Sequence, residues 1–152
     1  MSIEAKLAEL GIILPQAAAP VASYQAVVVT GNMAFLSGQL PFVDGQLVTG
    51  KLGADVSLET GQQAARACGL MILAQLKAAG LLEQVEQVVK LGGFVASTPD
   101  FTDQPKVVNG CSDLMAEVFG DAGKHARSAV GVPVLPLDAA VEVDAIVALR
   151  PH

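Results

Sequence analysis

The sequence predicts an α+β fold, a two-layer sandwich in which two helices cover one face of a mixed sheet. Three observations lead there. Two stretches with helical periodicity lie among five or six short runs of strand character. The C-terminal run alternates: Val141, Val143, Ala145, Val147 and Leu149 fall on one face, Glu142 and Asp144 on the other. Apolar residues make up 52% of the 152 residues, and the surplus is mostly Ala and Val. That surplus fills a core and leaves a second apolar sheet face, which implies a homo-oligomer. The length suits one domain, residues 1–152, with residues 1–20 as an N-terminal extension.

Taken in order, Ser2 to Glu9 has Ile3, Leu7 and Leu10 at helical spacing and is stopped by Gly11 and Pro15. Tyr24 to Val29 and Met33 to Ser37 are apolar runs joined by Thr30-Gly31-Asn32, a hairpin signal. Asp44-Gly45 marks a second turn. Gly45 to Leu52 imitates a phosphate-binding loop, but Leu52 stands where a magnesium-binding hydroxyl is needed, and Gly53-Ala54-Asp55 separates it from any helix. It is a decoy.

Ser57 is placed to cap a helix, with Glu59 in its first turn and Gly80 at its end. Ala65, Cys68, Ile72 and Leu76 form the buried stripe of that helix. Lys90 to Ser97 reads as a strand whose Gly92-Gly93 pair implies close approach of another backbone. A second helix starts near Pro105 and ends at Gly120, with Val107 or Val108, Cys111, Leu114, Met115 and Val118 inward. Two strands follow, the first carrying Arg127, joined by a Pro-punctuated connection from Val132 to Asp138.

Composition disfavours several functions. With a formal charge of −6, 4% aromatics and no Trp, a phosphate-tracking surface is disfavoured and base-stacking platforms are scarce, so no nucleic-acid partner is expected. Mean hydropathy is +0.51, yet no apolar run reaches the ~18 residues of a membrane span. The N-terminus has no basic region ahead of a long apolar core, as a signal peptide would, so a cytoplasmic location is expected. Cys68 and Cys111 lie in helical patterns without CxxC spacing and read as reduced, buried thiols.

From Tyr24 to Leu149 the chain resembles the RidA/YjgF family of enamine/imine deaminases. The matching pieces are Tyr24 seven residues before Gly31-Asn32, Leu36-Ser37-Gly38-Gln39-Leu40-Pro41, Asn109, and the block from Ala126 to Val147. The resemblance implies a chorismate-mutase-like fold and a homotrimer with clefts between subunits. It also implies hydrolysis of reactive imines such as 2-aminoacrylate to 2-keto acids and ammonia, without metal or cofactor. Arg127 would bind the substrate carboxylate and Glu142 would position the hydrolytic water. Tyr24, Ser37, Gly38 and Asn109 would line the cleft. The chain departs from the family in three places. Ala129 replaces a common Cys, the segment before Asn109 is longer, and the N-terminus extends further.

The residue types suit that chemistry. A guanidinium grips a carboxylate bidentately, and one carboxylate can accept a proton from water and return it to the departing amine. The plainer readings stand beside these. Arg127 could form a structural ion pair with Glu142, and Glu142 could be a solvated strand residue. Tyr24 could be a core residue, Ser37 a strand or turn residue, and Asp144 structural. His125 is the default general base inside the fold, though nothing in the resemblance gives it a role. Two other functions remain open: a non-catalytic binder of small carboxylates, and a ribonuclease or translation inhibitor, which the acidic charge disfavours.

Overall fold

The computed structural model describes residues 1–20 and 23–151. The chain runs α1 (Ile3–Glu9), β1 (Val27–Thr30), β2 (Met33–Gln39), β3 (Phe42–Val43), β4 (Gln46–Leu47), α2 (Leu58–Ala78), β5 (Val85–Ala96), α3 (Gln104–Phe119), β6 (Ala126–Val132) and β7 (Val141–Leu149). Five strands form one sheet in the order β1-β2-β7-β5-β6, with β3 and β4 a separate hairpin. The β5–β6 pair is parallel, with α3 as its crossover, and the other pairs are antiparallel. The fold is α+β with a mixed sheet. No helix among the described residues is long and apolar enough to cross a membrane.

Local chemistry explains most boundaries. The Ser57 hydroxyl accepts from the Thr60 N–H at the start of α2, and Gly80, at φ +74°, follows its end. Ser2 caps α1 in the same way, and the Glu83 carboxylate accepts from the N–H groups of Ile3 and Glu4. Gly31 at φ +59° turns β1 into β2, and Asp44 and Gly45 both take positive φ between β3 and β4.

The core lies between α2, α3 and one sheet face. Every odd position of β7 from Val141 to Leu149 is buried there, with Ala34, Leu36, Leu91 and Val95 from neighbouring strands. Both helical stripes are buried as read from the sequence. The helices approach closely through glycines. A Cβ on Gly110 would stand 2.0 Å from the Gln62 carbonyl oxygen, and one on Gly69 would stand 2.9 Å from Cys111 Sγ. Gly110→Ala must therefore separate α2 from α3. Thermal unfolding should show a loss of about 1–3 kcal/mol; an unchanged melting temperature would contradict this packing.

Three expectations need correction. Chain direction changes between Tyr24 and Ala26, so the first strand begins only at Val27. The strand expected from Lys90 extends back to Val85. Bulges between Val85 and Gln87 and between Val88 and Lys90 make its inward residues Val85, Val88 and Leu91, a spacing of three that hides the usual alternation. The Gly92-Gly93 pair admits side chains rather than a backbone. A Cβ on Gly92 would lie 2.3 Å from Asp144 Oδ1, and one on Gly93 2.6 Å from Val108 Cγ2.

Candidate active site

The predicted residues fall into two groups at different places on the sheet. The first centres on a bulge in β2. Leu36 pairs with Ala145 and Gln39 with Val143, so Ser37 and Gly38 together oppose the single residue Asp144. Glu142 lies on the sheet face away from the helices, in register with Phe94. Its carboxylate rests across Gly38, where an added Cβ would meet Glu142 Oε2 at 2.3 Å. Only a glycine leaves room for that carboxylate. Ser37 donates its hydroxyl to the Gln25 carbonyl at 2.6 Å, which ties the bulge to the segment entering β1. Tyr24 is 46% exposed and shares with Gly38 a cavity of about 130 Å³.

Behind this bulge stand two buried amides that the sequence reading missed. Gln75 of α2 donates to the Gln39 Oε1 at 3.2 Å and to the Ala18 carbonyl at 2.7 Å. Gln39 donates in turn to the Ser37 carbonyl at 3.0 Å. The segment after α1 is thus tied through α2 to the bulge. Buried glutamine in an apolar helical stripe was the available signal.

Burial raises the pKa of Glu142 above the ordinary carboxylate value, and the charge of Asp144 raises it further. Burial also raises Asp144, against the opposing influence of the Gly92 N–H and Lys90. Glu142 therefore holds a proton more readily than a solvated strand residue would.

The second group lies at the sheet edge, on the helix side. Arg127 of β6 is in register with buried Leu91 and reaches α3. Its Nη1 donates to Asn109 Oδ1 at 2.8 Å and to Ser112 Oγ at 3.1 Å. The expected alternative, an ion pair between Arg127 and Glu142, does not occur, because the two side chains project from opposite faces with β5 between their strands. Asn109, Ser112, His125 and Arg127 line a cavity of about 350 Å³. Ser112 had no sequence-based role, yet it lies three residues after Asn109 on one helix, and that spacing puts both on one face.

The thiols take no part in either group. Cys68 and Cys111 are free and fully buried; burial pushes Cys68 well up and Cys111 up to about 12, so neither presents a thiolate. Among the described residues no three His, Cys, Asp or Glu side chains cluster to hold a metal ion.

Comparison with known proteins places the fold in context. The family described as "YjgF/chorismate_mutase-like, putative endoribonuclease" matches residues 4–149. Protein TCP17 of Trypanosoma cruzi is 53% identical over 151 residues, covering 97% of this chain and 94% of its own. The 2-iminobutanoate/2-iminopropanoate deaminase of Dermatophagoides farinae is 32% identical over 141 residues, covering 91% and 95%. A solved Shewanella oneidensis MR-1 protein, described as "a putative endoribonuclease", superposes with a TM-score of 0.94 at 35% identity, covering 98% of this chain and 100% of its own.

Proposed function

The chain belongs to the YjgF/chorismate mutase-like family, the RidA/YjgF proteins, and from that premise we propose that it hydrolyses reactive 2-imino acids to 2-oxo acids and ammonia. The observation that carries the reading is the state of Arg127. Its guanidinium is oriented by two neutral acceptors and lies within ion-pair distance of no carboxylate among the described residues. An arginine so held is free to take a substrate carboxylate.

The reaction follows from the two groups. Arg127 fixes the carboxylate and thereby the imine carbon. Glu142 accepts a proton from water as the oxygen adds to that carbon and the C=N π electrons move to nitrogen. Glu142 returns that proton to the nitrogen, which gives the neutral carbinolamine. The carboxylate then takes the hydroxyl proton and passes it to the amino nitrogen as the C–N bond breaks, so the hydroxyl oxygen becomes the carbonyl and the nitrogen leaves as ammonia. Tyr24, Ser37, Gly38 and Asn109 line the space between. No cofactor is needed, since the imine carbon is already electrophilic.

One chain cannot bring Arg127 and Glu142 to a common substrate, because they occupy opposite sheet faces. The site is therefore composite, Arg127 and Asn109 from one subunit meeting Tyr24, Ser37, Gly38 and Glu142 from the next. The face away from the helices offers the contact surface: Val28, Phe35 and Ile146 are in register across β1, β2 and β7, with Val28 50% and Phe35 42% exposed. Cyclic closure of three copies would bury such faces and leave no open edge.

The test is a coupled assay in which an amino-acid oxidase generates imines and their loss is followed. Binding of 2-oxo acids without turnover would replace the enzyme by a carboxylate-binding protein. A second measurement addresses the composite site. Mixing and refolding equal amounts of Arg127→Ala and Glu142→Gln chains should restore about a quarter of wild-type activity, because random assembly into closed rings pairs two intact halves at that frequency. No recovery, or a mass of 15.5 kDa with full activity, would overturn the shared site.

A further inference from the structure

The geometry points to a hydrogen-bonded relay, Gly123–His125–Ser112, that decides which edge of the Arg127 guanidinium faces the substrate. The inference rests on the proposed carboxylate grip and adds two positioning residues to it. His125 Nδ1 lies 2.6 Å from the Gly123 carbonyl oxygen, and its Nε2 lies 2.9 Å from Ser112 Oγ. A carbonyl can only accept, so Nδ1 carries the hydrogen. In the neutral ring Nε2 is then an acceptor. Ser112 must donate its one hydroxyl hydrogen to Nε2, which turns an oxygen lone pair toward Arg127 Nη1 at 3.1 Å.

Both hydrogens of Nη1 are consequently used, one on Ser112 Oγ and one on Asn109 Oδ1. A carboxylate cannot take the end-on fork formed by Nη1 and Nη2. It must bind side-on, across Nε and Nη2. The same bond sets Asn109: with Oδ1 accepting from arginine, its amide N–H groups are left to donate to a ligand. Without the relay the Ser112 hydroxyl rotates freely and the guanidinium gains a second way to present itself. Carboxylate binding then weakens, while the chemistry at Glu142 is untouched.

Binding of 2-oxobutanoate by calorimetry, and steady-state kinetics with the matching imine, test the relay in Ser112→Ala, His125→Ala, His125→Gln and the double alanine variant. Losing an orienting bond to a charged group should raise Kd and KM about tenfold, with kcat within about twofold and an unchanged melting temperature. His125→Gln keeps an acceptor near the Nε2 position and should bind nearly as wild type. The double variant should be no worse than Ser112→Ala, since both residues act along one route. Unchanged Kd and KM in Ser112→Ala would overturn the relay, as would additive losses in the double variant. Nitrogen NMR of the wild-type protein gives an independent reading: a neutral His125 ring with its hydrogen on Nε2 contradicts the assignment. Should Arg127→Ala itself bind 2-oxobutanoate normally, the carboxylate grip fails. A strong Arg127→Ala effect beside a silent Ser112→Ala removes the relay alone.

Discussion

Arg127→Ala is expected to lose imine hydrolysis by about 10²- to 10³-fold in kcat/KM, the loss of two charge-assisted hydrogen bonds to a carboxylate, while folding normally. Arg127 sits on an edge strand, half-buried, and its partners Asn109 and Ser112 border an open cavity. Water can take the place of the guanidinium at both oxygens. Nothing in the apolar core depends on it. Thermal unfolding should agree with wild type within a few degrees. A variant that melts far below wild type would make Arg127 a structural residue and remove it from the site. Arg127→Lys should also be poor, because an ammonium is a point charge without the planar fork.

Glu142→Gln is expected to keep 2-oxo acid binding and to lower kcat by about 10²- to 10⁴-fold, the range for removing a general acid–base. In the composite site the carboxylate grip lies on Arg127 of the neighbouring subunit, so recognition should survive. The pH dependence carries a sign that can be checked. Burial and the Asp144 charge raise the folded-state pKa of Glu142, so activity that needs its carboxylate should fall on acidification at a pH above the ordinary glutamate value of ~4.3. The variant should lack that acid limb. Stability runs the other way. A raised folded-state pKa means the fold favours the neutral form, so the contribution is fully present below the unfolded-state pKa and lost as pH rises through the folded one. Glu142→Gln should therefore melt at or above wild type near neutral pH, with the gap closing in acid. Equal turnover by the variant would return the water-activating role to another group.

The legible parts of this protein were those set by local chemistry. Ser57 and Gly80 bounded α2 because a hydroxyl and a left-handed glycine satisfy helix ends wherever the helix lies. The alternation of β7 revealed its buried face because side-chain direction on a regular strand depends only on residue parity. The start of β5 was hidden by two bulges, each of which shifts parity without leaving a mark in composition. Gly92 and Gly93 announced close contact but not with what, since a missing Cβ records only that space is taken.

The site divides along the same line. Sequence alone, through motif resemblance, picked out Arg127, Glu142, Tyr24, Ser37, Gly38 and Asn109, and parity put Glu142 on the face opposite the helices. Which residues meet is a long-range property that no local pattern encodes. The fold decided that Arg127 points toward α3 rather than toward Glu142, because β5 lies between β6 and β7 and the two side chains have opposite parity across it. It also decided that His125, the default general base in the sequence and without a role in the resemblance, meets Ser112 from a different element. A position just ahead of β6 and one on α3 become neighbours only when the β5–α3–β6 crossover is packed onto the sheet.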